Sequence, residues 1–237
     1  MNLAQRAVIG AMWPRRVVAL VALAVPLMSA AGNSSPRFLA LGDSYTIGEG
    51  MSAGQRWPNQ LAVKLRKRGI DIAEAEIVAR TGWTTDELSA AMDAHAFTPP
   101  YALVTLQIGV NNQYRGREVE NFRSEFQRLL ERAIELAGGR PQHVIVVSIP
   151  DWGVTRFGGE SGRDRHEIAR RIDAYNAVCK SGAAALNTRY VDVTAASRQA
   201  GDSDAMLAPD GLHPSAAMYA LWVSAILPQA QAALTTR

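Results

Sequence analysis

The stretch Phe38-Leu39-Ala40-Leu41-Gly42-Asp43-Ser44-Tyr45 begins as an apolar, strand-like run and breaks into Gly-Asp-Ser, which delivers a hydroxyl at the strand's carboxyl end. Similar runs recur downstream. Strands are predicted near Phe38–Leu41, Ala73–Val78, Leu103–Ile108, His143–Ile149 and Tyr190–Val193, and helices near Trp57–Arg68, Asp86–His95, Val119–Leu136, Arg165–Leu186 and Ala216–Ala233. Strict alternation of the two predicts an α/β fold with a parallel sheet. Several boundaries carry their own signals: Thr84-Thr85-Asp86-Glu87 fits a capping box, Gly138-Gly139 stops the third helix, and Pro214 suits the first turn of the last. Gly153 to Arg165, rich in glycine and charge, is expected to be the longest irregular loop and a mobile wall of a binding site.

Residues with chemistry to offer sit at the ends of these runs. Thr81-Gly82-Trp83 follows Ile77-Val78-Ala79, and Gly109-Val110-Asn111-Asn112 follows the run ending at Ile108; both can donate hydrogen bonds to a developing oxyanion. Far downstream, Asp210-Gly211-Leu212-His213-Pro214 places a carboxylate and an imidazole three residues apart, so that both can project from one side of a turn. A serine hydroxyl is inert at neutral pH until a base takes its proton, and a histidine does so best when an acid holds its tautomer.

These four separated blocks resemble the SGNH hydrolases, the GDSL esterase and lipase family, and the resemblance runs through nearly the whole chain beyond Ala31. It implies a single-domain three-layer sandwich with a five-stranded parallel sheet in flavodoxin-like order. It also implies Ser44 as nucleophile, His213 as base and Asp210 as its orienter, with the Ser44 N–H, the Gly82 N–H and the Asn111 amide as oxyanion donors. The first block reads Gly-Asp-Ser-Tyr where the family name has Leu, and the third reads Gly-Val-Asn-Asn where many members have Asp after the Asn. Neither departure alters an atom assigned to the chemistry. The expected activity is hydrolysis of small or short-chain carboxylic esters or thioesters, with no metal or organic cofactor. Carbohydrate O-acetylesterase and lysophospholipase or lipase are alternatives within the family, and a non-catalytic binding module on the same fold lies outside it.

Taken singly, each block has a plainer reading. Gly-Asp-Ser is common turn chemistry, Asn111-Asn112 tolerates left-handed backbone, and His213 alone could sit on a surface. Their order and placement argue for a site. Asp192, at the end of the fifth predicted strand, rivals Asp210 as the orienting acid, whereas Asp43 is expected to bond backbone groups of its turn. Tyr45, Trp83, Tyr114, Trp152 and Phe157 lie in or beside the strand-end loops and are candidates for a substrate pocket. His95, His143 and His166 are expected to be non-catalytic, and Cys179, the single cysteine, to be buried.

The segment 1–31 differs from the rest. Arg6, Arg15 and Arg16 precede the apolar stretch Val17 to Met28, and Ser29-Ala30-Ala31 suits signal-peptidase cleavage, so a secretory leader is expected over 1–31 and a catalytic domain over 32–237. A membrane anchor is the lesser alternative, because the apolar stretch is short of the roughly 20 residues a spanning helix needs and Pro26 interrupts it. The chain is therefore expected to be periplasmic or secreted, without stable membrane insertion once the leader is removed. Taking those three arginines from the 25 Lys and Arg leaves the basic count equal to the 22 Asp and Glu, so the net charge of +3 gives no warrant for a nucleic-acid partner. The basic run Lys64 to Arg68 ends a predicted helix, where cations complement the dipole. His166-Glu167-Ile168-Ala169-Arg170 lacks the second His of a zinc-protease motif, and Ser44 lacks the G-x-S-x-G elbow of α/β-hydrolases.

Overall fold

A computed structural model describes residues 35–235; the expected leader lies outside the described residues. Five parallel strands, β1 (Phe38–Gly42), β2 (Ala75–Ala79), β3 (Leu103–Gln107), β4 (Val144–Val147) and β5 (Arg189–Val191), form one sheet in the order β2-β1-β3-β4-β5. The inner strands β1, β3 and β4 are buried at every residue, because helices cover both faces of a parallel sheet; β2 and β5, at the edges, are partly exposed. This is the α/β architecture expected from the alternation.

The described residues also form helices α1 (Ser44–Ile47), α2 (Trp57–Lys67), α3 (Thr85–Ala94), α4 (Val110–Tyr114), α5 (Val119–Leu136), α6 (Arg156–Glu160), α7 (Arg165–Ala185), α8 (Thr194–Ala200) and α9 (Ala216–Thr235). One outer layer pairs α2 with α9; the other packs α5 between α3 and α7. In α5 the residues Phe122, Phe126, Leu129, Leu130 and Ala133 recur at three- and four-residue intervals and are all buried, which is why this segment is a helix lying on the sheet. Thr84 and Glu87 form the expected capping box of α3, and Lys64, Arg66 and Lys67 end α2. Cys179 is buried in α7, and burial pushes its thiol pKa up.

Four short helices, α1, α4, α6 and α8, have no counterpart among the sequence expectations. Each is too short for an apolar period to show. The expected irregular loop at 153–165 is corrected in the same way. It holds a 3-10 turn, Trp152–Val154, followed by α6, whose first turn is capped by Thr155 Oγ1 accepting from the Gly158 N–H at 3.1 Å. A Cβ on Gly158 would lie 2.4 Å from the Trp152 carbonyl oxygen, so glycine here permits close backbone packing rather than mobility. Strand β4 also starts one residue later than expected, since Pro141–His143 forms a 3-10 turn ahead of it.

Register places the site. Gly42 is level with Ala79 on one side and with Gln107 on the other. The segments that follow β1, β2 and β3 therefore emerge together at the carboxyl edge of the sheet, at the point where strand order reverses, which is where ligands of such sheets bind.

Candidate active site

Ser44 opens α1 directly beyond β1. Asp43 caps this one-turn helix, its Oδ1 accepting the Tyr45 N–H at 3.1 Å, as a turn residue rather than a catalytic one would. Burial pushes the Asp43 carboxyl up to about 7, against the opposing pull of the Tyr45 N–H and its own N–H. As the first residue of the helix, Ser44 has no intrahelical acceptor for its own N–H. The turn is sharp: a Cβ on Gly42 would meet Thr46 Oγ1 at 2.2 Å and the Gln107 carbonyl at 2.5 Å, so only glycine lets β1 and β3 and the new helix come this close.

Ser44 lines a cleft of about 150 Å³ together with Gly82, Asn111 and His213. Blocks from near the two ends of the described residues thus meet at one place. Asn111 comes from α4, whose cap is Gly109. Its Nδ2 donates one hydrogen to the Trp83 carbonyl at 2.9 Å, which leaves the second for a ligand. Gly82 sits in the turn after β2 with φ of +88°, and its carbonyl accepts from Arg115 Nη2 at 2.7 Å. Two side chains from beyond the end of β3 therefore hold the Gly82-Trp83 turn. A third link joins the same elements: Asn112 Oδ1 accepts the Thr85 N–H at 3.1 Å, while its Nδ2 donates to Thr85 Oγ1 at 2.6 Å. The sequence does not single out Arg115 or Asn112 as positioning groups, and the doubled Asn at 111–112 is the only hint it carries.

His213 and Asp210 come from the loop before α9. Asp210 Oδ2 lies 2.6 Å from His213 Nδ1, and Asp210 Oδ1 accepts the Leu212 and His213 N–H groups, each at 2.9 Å. The carboxylate therefore accepts a hydrogen bond from the Nδ1–H and leaves Nε2 as the basic nitrogen. Burial alone would raise the Asp210 pKa, but the His213 ring and those two N–H groups outweigh it and hold the carboxyl below its usual range. The loop is closed by Ala208 N donating to the His213 carbonyl at 2.7 Å. Asp192, the rival acid, is occupied elsewhere: its Oδ1 accepts the Thr194 N–H at 2.7 Å at the start of α8 and Ser148 Oγ at 3.2 Å.

The cleft's walls are apolar, and Tyr45, Tyr114, Trp152 and Phe157 all line it. The Tyr45 ring lies 5.6 Å from the His213 ring and 6.0 Å from that of Trp222, so it supports the imidazole as well as the wall. Trp152 is fixed from both sides: its Nε1 donates to Gln113 Oε1 at 2.8 Å, and the preceding Asp151 is gripped by Arg198 at 2.9 Å. Trp83 is corrected. It does not line the cleft; its ring is partly buried against the core, and its carbonyl instead anchors Asn111. Its place next to Gly82 suggests a wall, but the ring packs against the core instead. His95 pairs with Glu76 at 2.7 Å, and His143 bonds the Ala102 carbonyl at 2.8 Å, both away from the cleft. Among the described residues no group of side chains is arranged to hold a metal ion.

The structure of TesA has 22% sequence identity with this chain at a TM-score of 0.66, with 84% of this chain and 99% of that one aligned. The lipase/acylhydrolase from Enterococcus faecalis aligns at 21% identity and TM-score 0.66 over 85% and 98% of the two chains. Axe2, an acetylxylan esterase from Geobacillus stearothermophilus, gives 20% and 0.63 over 83% and 94%. At such identities the likeness establishes a shared fold. Among curated proteins no relative matches. The model of the GDSL-like Lipase/Acylhydrolase family matches residues 40–221, a span that takes in the Ser44 turn, both donor segments and the His213 loop. By that match the chain belongs to the GDSL-like lipase/acylhydrolase family, whose members are esterases and lipases.

Proposed function

We propose that this protein is an exported serine esterase that cleaves small carboxylic esters or thioesters through an acyl-enzyme. The observation that carries the reading is the meeting of Ser44, Gly82, Asn111 and His213 in one cleft, with Asp210 bonded to the far side of the imidazole. Ser44 Oγ attacks the carbonyl carbon while His213 Nε2 takes its proton, and Asp210 stabilises the imidazolium. The negative oxygen accepts from the N–H groups of Ser44 and Gly82 and from the second Asn111 Nδ2 hydrogen. His213 then protonates the leaving alcohol or thiol, the carbonyl reforms, and water enters by the same path in reverse.

Asn111→Ala should lower kcat by about 10²–10³ with a much smaller effect on KM, because the lost donor meets a charge that exists only in the transition state. Steady-state kinetics on an aryl acetate measure it, and a change confined to KM would reassign Asn111 to substrate binding. The cleft's volume of about 150 Å³ is below the roughly 300–1,000 Å³ of sites that enclose drug-sized ligands, which supports short acyl chains. In a series of aryl esters from two to sixteen acyl carbons, kcat/KM should peak at acetate or butyrate. A maximum at the long end would overturn the short-chain reading in favour of a lipase or lysophospholipase.

Export rests on the pattern of residues 1–31, and among the described residues no helix is long and apolar enough to cross a membrane. The product from an exporting host should begin near Gly32 on N-terminal sequencing. An uncleaved chain in the membrane fraction would support an anchor instead.

A further inference from the structure

A second groove, of about 470 Å³, adjoins the candidate cleft and shares Tyr114 with it. Arg115 reaches it from the end of α4, and Arg163, Asp164, Glu167 and Arg171 from around the start of α7. Of its two carboxylates only Glu167 is ion-paired. Glu167 holds Arg170 through bonds of 2.6 and 2.8 Å, and Asp164 Oδ1 caps α7 by accepting the His166 N–H at 2.8 Å.

The guanidinium groups are not matched in the same way. Among the described residues, no carboxylate lies within 4.0 Å of Arg163 or Arg171. Arg171 Nη2 donates to the Arg117 carbonyl at 2.9 Å, and Arg115, which holds the Gly82 carbonyl, has Glu87 at 3.4 Å. Arg163 is the one placed against the cleft's own wall. Its Cζ lies 4.2 Å from the ring centroid of Tyr114 and 5.6 Å from that of Trp152, and Nη1 donates to the Tyr114 carbonyl at 2.8 Å. Stacking and one backbone bond orient this fork but neutralise none of its charge.

We propose that this groove is a subsite for an anionic group, carboxylate or phosphate, carried by the ester substrate, with Arg163 as its specificity-determining residue. The assignment rests on the esterase reading above. A substrate with its carbonyl at Ser44 passes along Tyr114, the residue common to both cavities, and its charged end meets the planar fork of Arg163, whose geometry suits two oxygens of either anion. Arg171 adds positive charge around the same space; Arg115 is paired with Glu87, and the groove's three guanidinium groups outnumber its two carboxylates, Asp164 and Glu167.

The test compares kcat/KM for charged and neutral partners. With the charge on the acyl half, 4-nitrophenyl hydrogen glutarate is set against 4-nitrophenyl pentanoate; with the charge on the alcohol half, 4-acetoxybenzoate and 4-acetoxyphenyl phosphate are set against 4-acetoxybenzamide. In at least one series the anionic-to-neutral ratio should fall about twofold to fivefold in Arg163→Gln, the modest size expected of an exposed ion pair, and Arg163→Lys should restore part of it. Raising the salt should lower the same ratio in the parent protein. The benzoate and phosphate arms show which anion is preferred. Binding of phenyl phosphate and of benzoate to the Ser44→Ala protein, read by calorimetry, needs no turnover and so separates failure of the groove from failure of the esterase reading. Weaker binding of either anion after adding Arg163→Glu supports the subsite. Equal binding in the two proteins, no binding of either anion, or charge ratios indifferent to Arg163 would overturn it.

Discussion

Ser44→Ala should reduce ester hydrolysis to background, a loss of the order of 10⁵–10⁶ in kcat, and leave the fold intact. The size follows from chemistry: among the described residues Ser44 is the only serine lining the cleft, and the Thr81 hydroxyl there is bonded to Glu49. The tolerance follows from structure. Asp43 caps α1 through the Tyr45 N–H, the helix bonds run through the Asp43 and Ser44 carbonyls, and the Ser44 hydroxyl takes part in none of them. Circular dichroism should therefore overlay that of the parent. Covalent labelling by a fluorophosphonate, rapid for an activated serine, should vanish with the hydroxyl. Turnover within tenfold of the parent in a purified Ser44→Ala sample would sink the mechanism.

Asp210→Asn should cost about 10²–10⁴ in kcat. The Oδ1 position is committed to two backbone N–H groups, so an asparagine places its oxygen there and turns its NH₂ toward His213 Nδ1. An amide donor facing Nδ1 favours the tautomer with the proton on Nε2, the nitrogen that has to accept one from Ser44. With its side chain 41% exposed, Asp210 can be partly replaced by water, which argues for the lower part of that range. Asp192→Asn should be nearly neutral, since an amide oxygen can still accept the Thr194 N–H. If Asp192→Asn is the damaging change and Asp210→Asn is harmless, the orienting acid is misassigned.

Much of the fold could be read from the chain because strand and helix periodicities are local. The inner strands are mostly apolar runs buried at every residue, α5 carries its buried stripe at helical spacing, and α5 runs over the residues expected for it. Short elements left no such trace. Helix α6 depends on one hydroxyl cap and one missing Cβ at Gly158, and neither weighs much against a segment that reads as glycine-rich and charged.

By composition and order alone, the chain determined its class, its alternating elements and the residue types at each strand end, because burial on two faces and the ending of a β run are properties of a few neighbouring residues. The strand order entered by resemblance, since pairing between β1 and β3, which are separated in the chain by β2 and its flanking helices, leaves no mark in either strand. Tertiary structure alone decided what depends on distance. Asp210 faces His213 while Asp192 bonds the first N–H of α8, Trp83 packs against the core, and Arg115 and Arg163, from the end of α4 and the connection before α7, line one groove next to the cleft. Side-chain partners separated along the chain are selected by the packing of whole layers, and no local pattern encodes which of two carboxylates, or which of several arginines, that packing brings to the site.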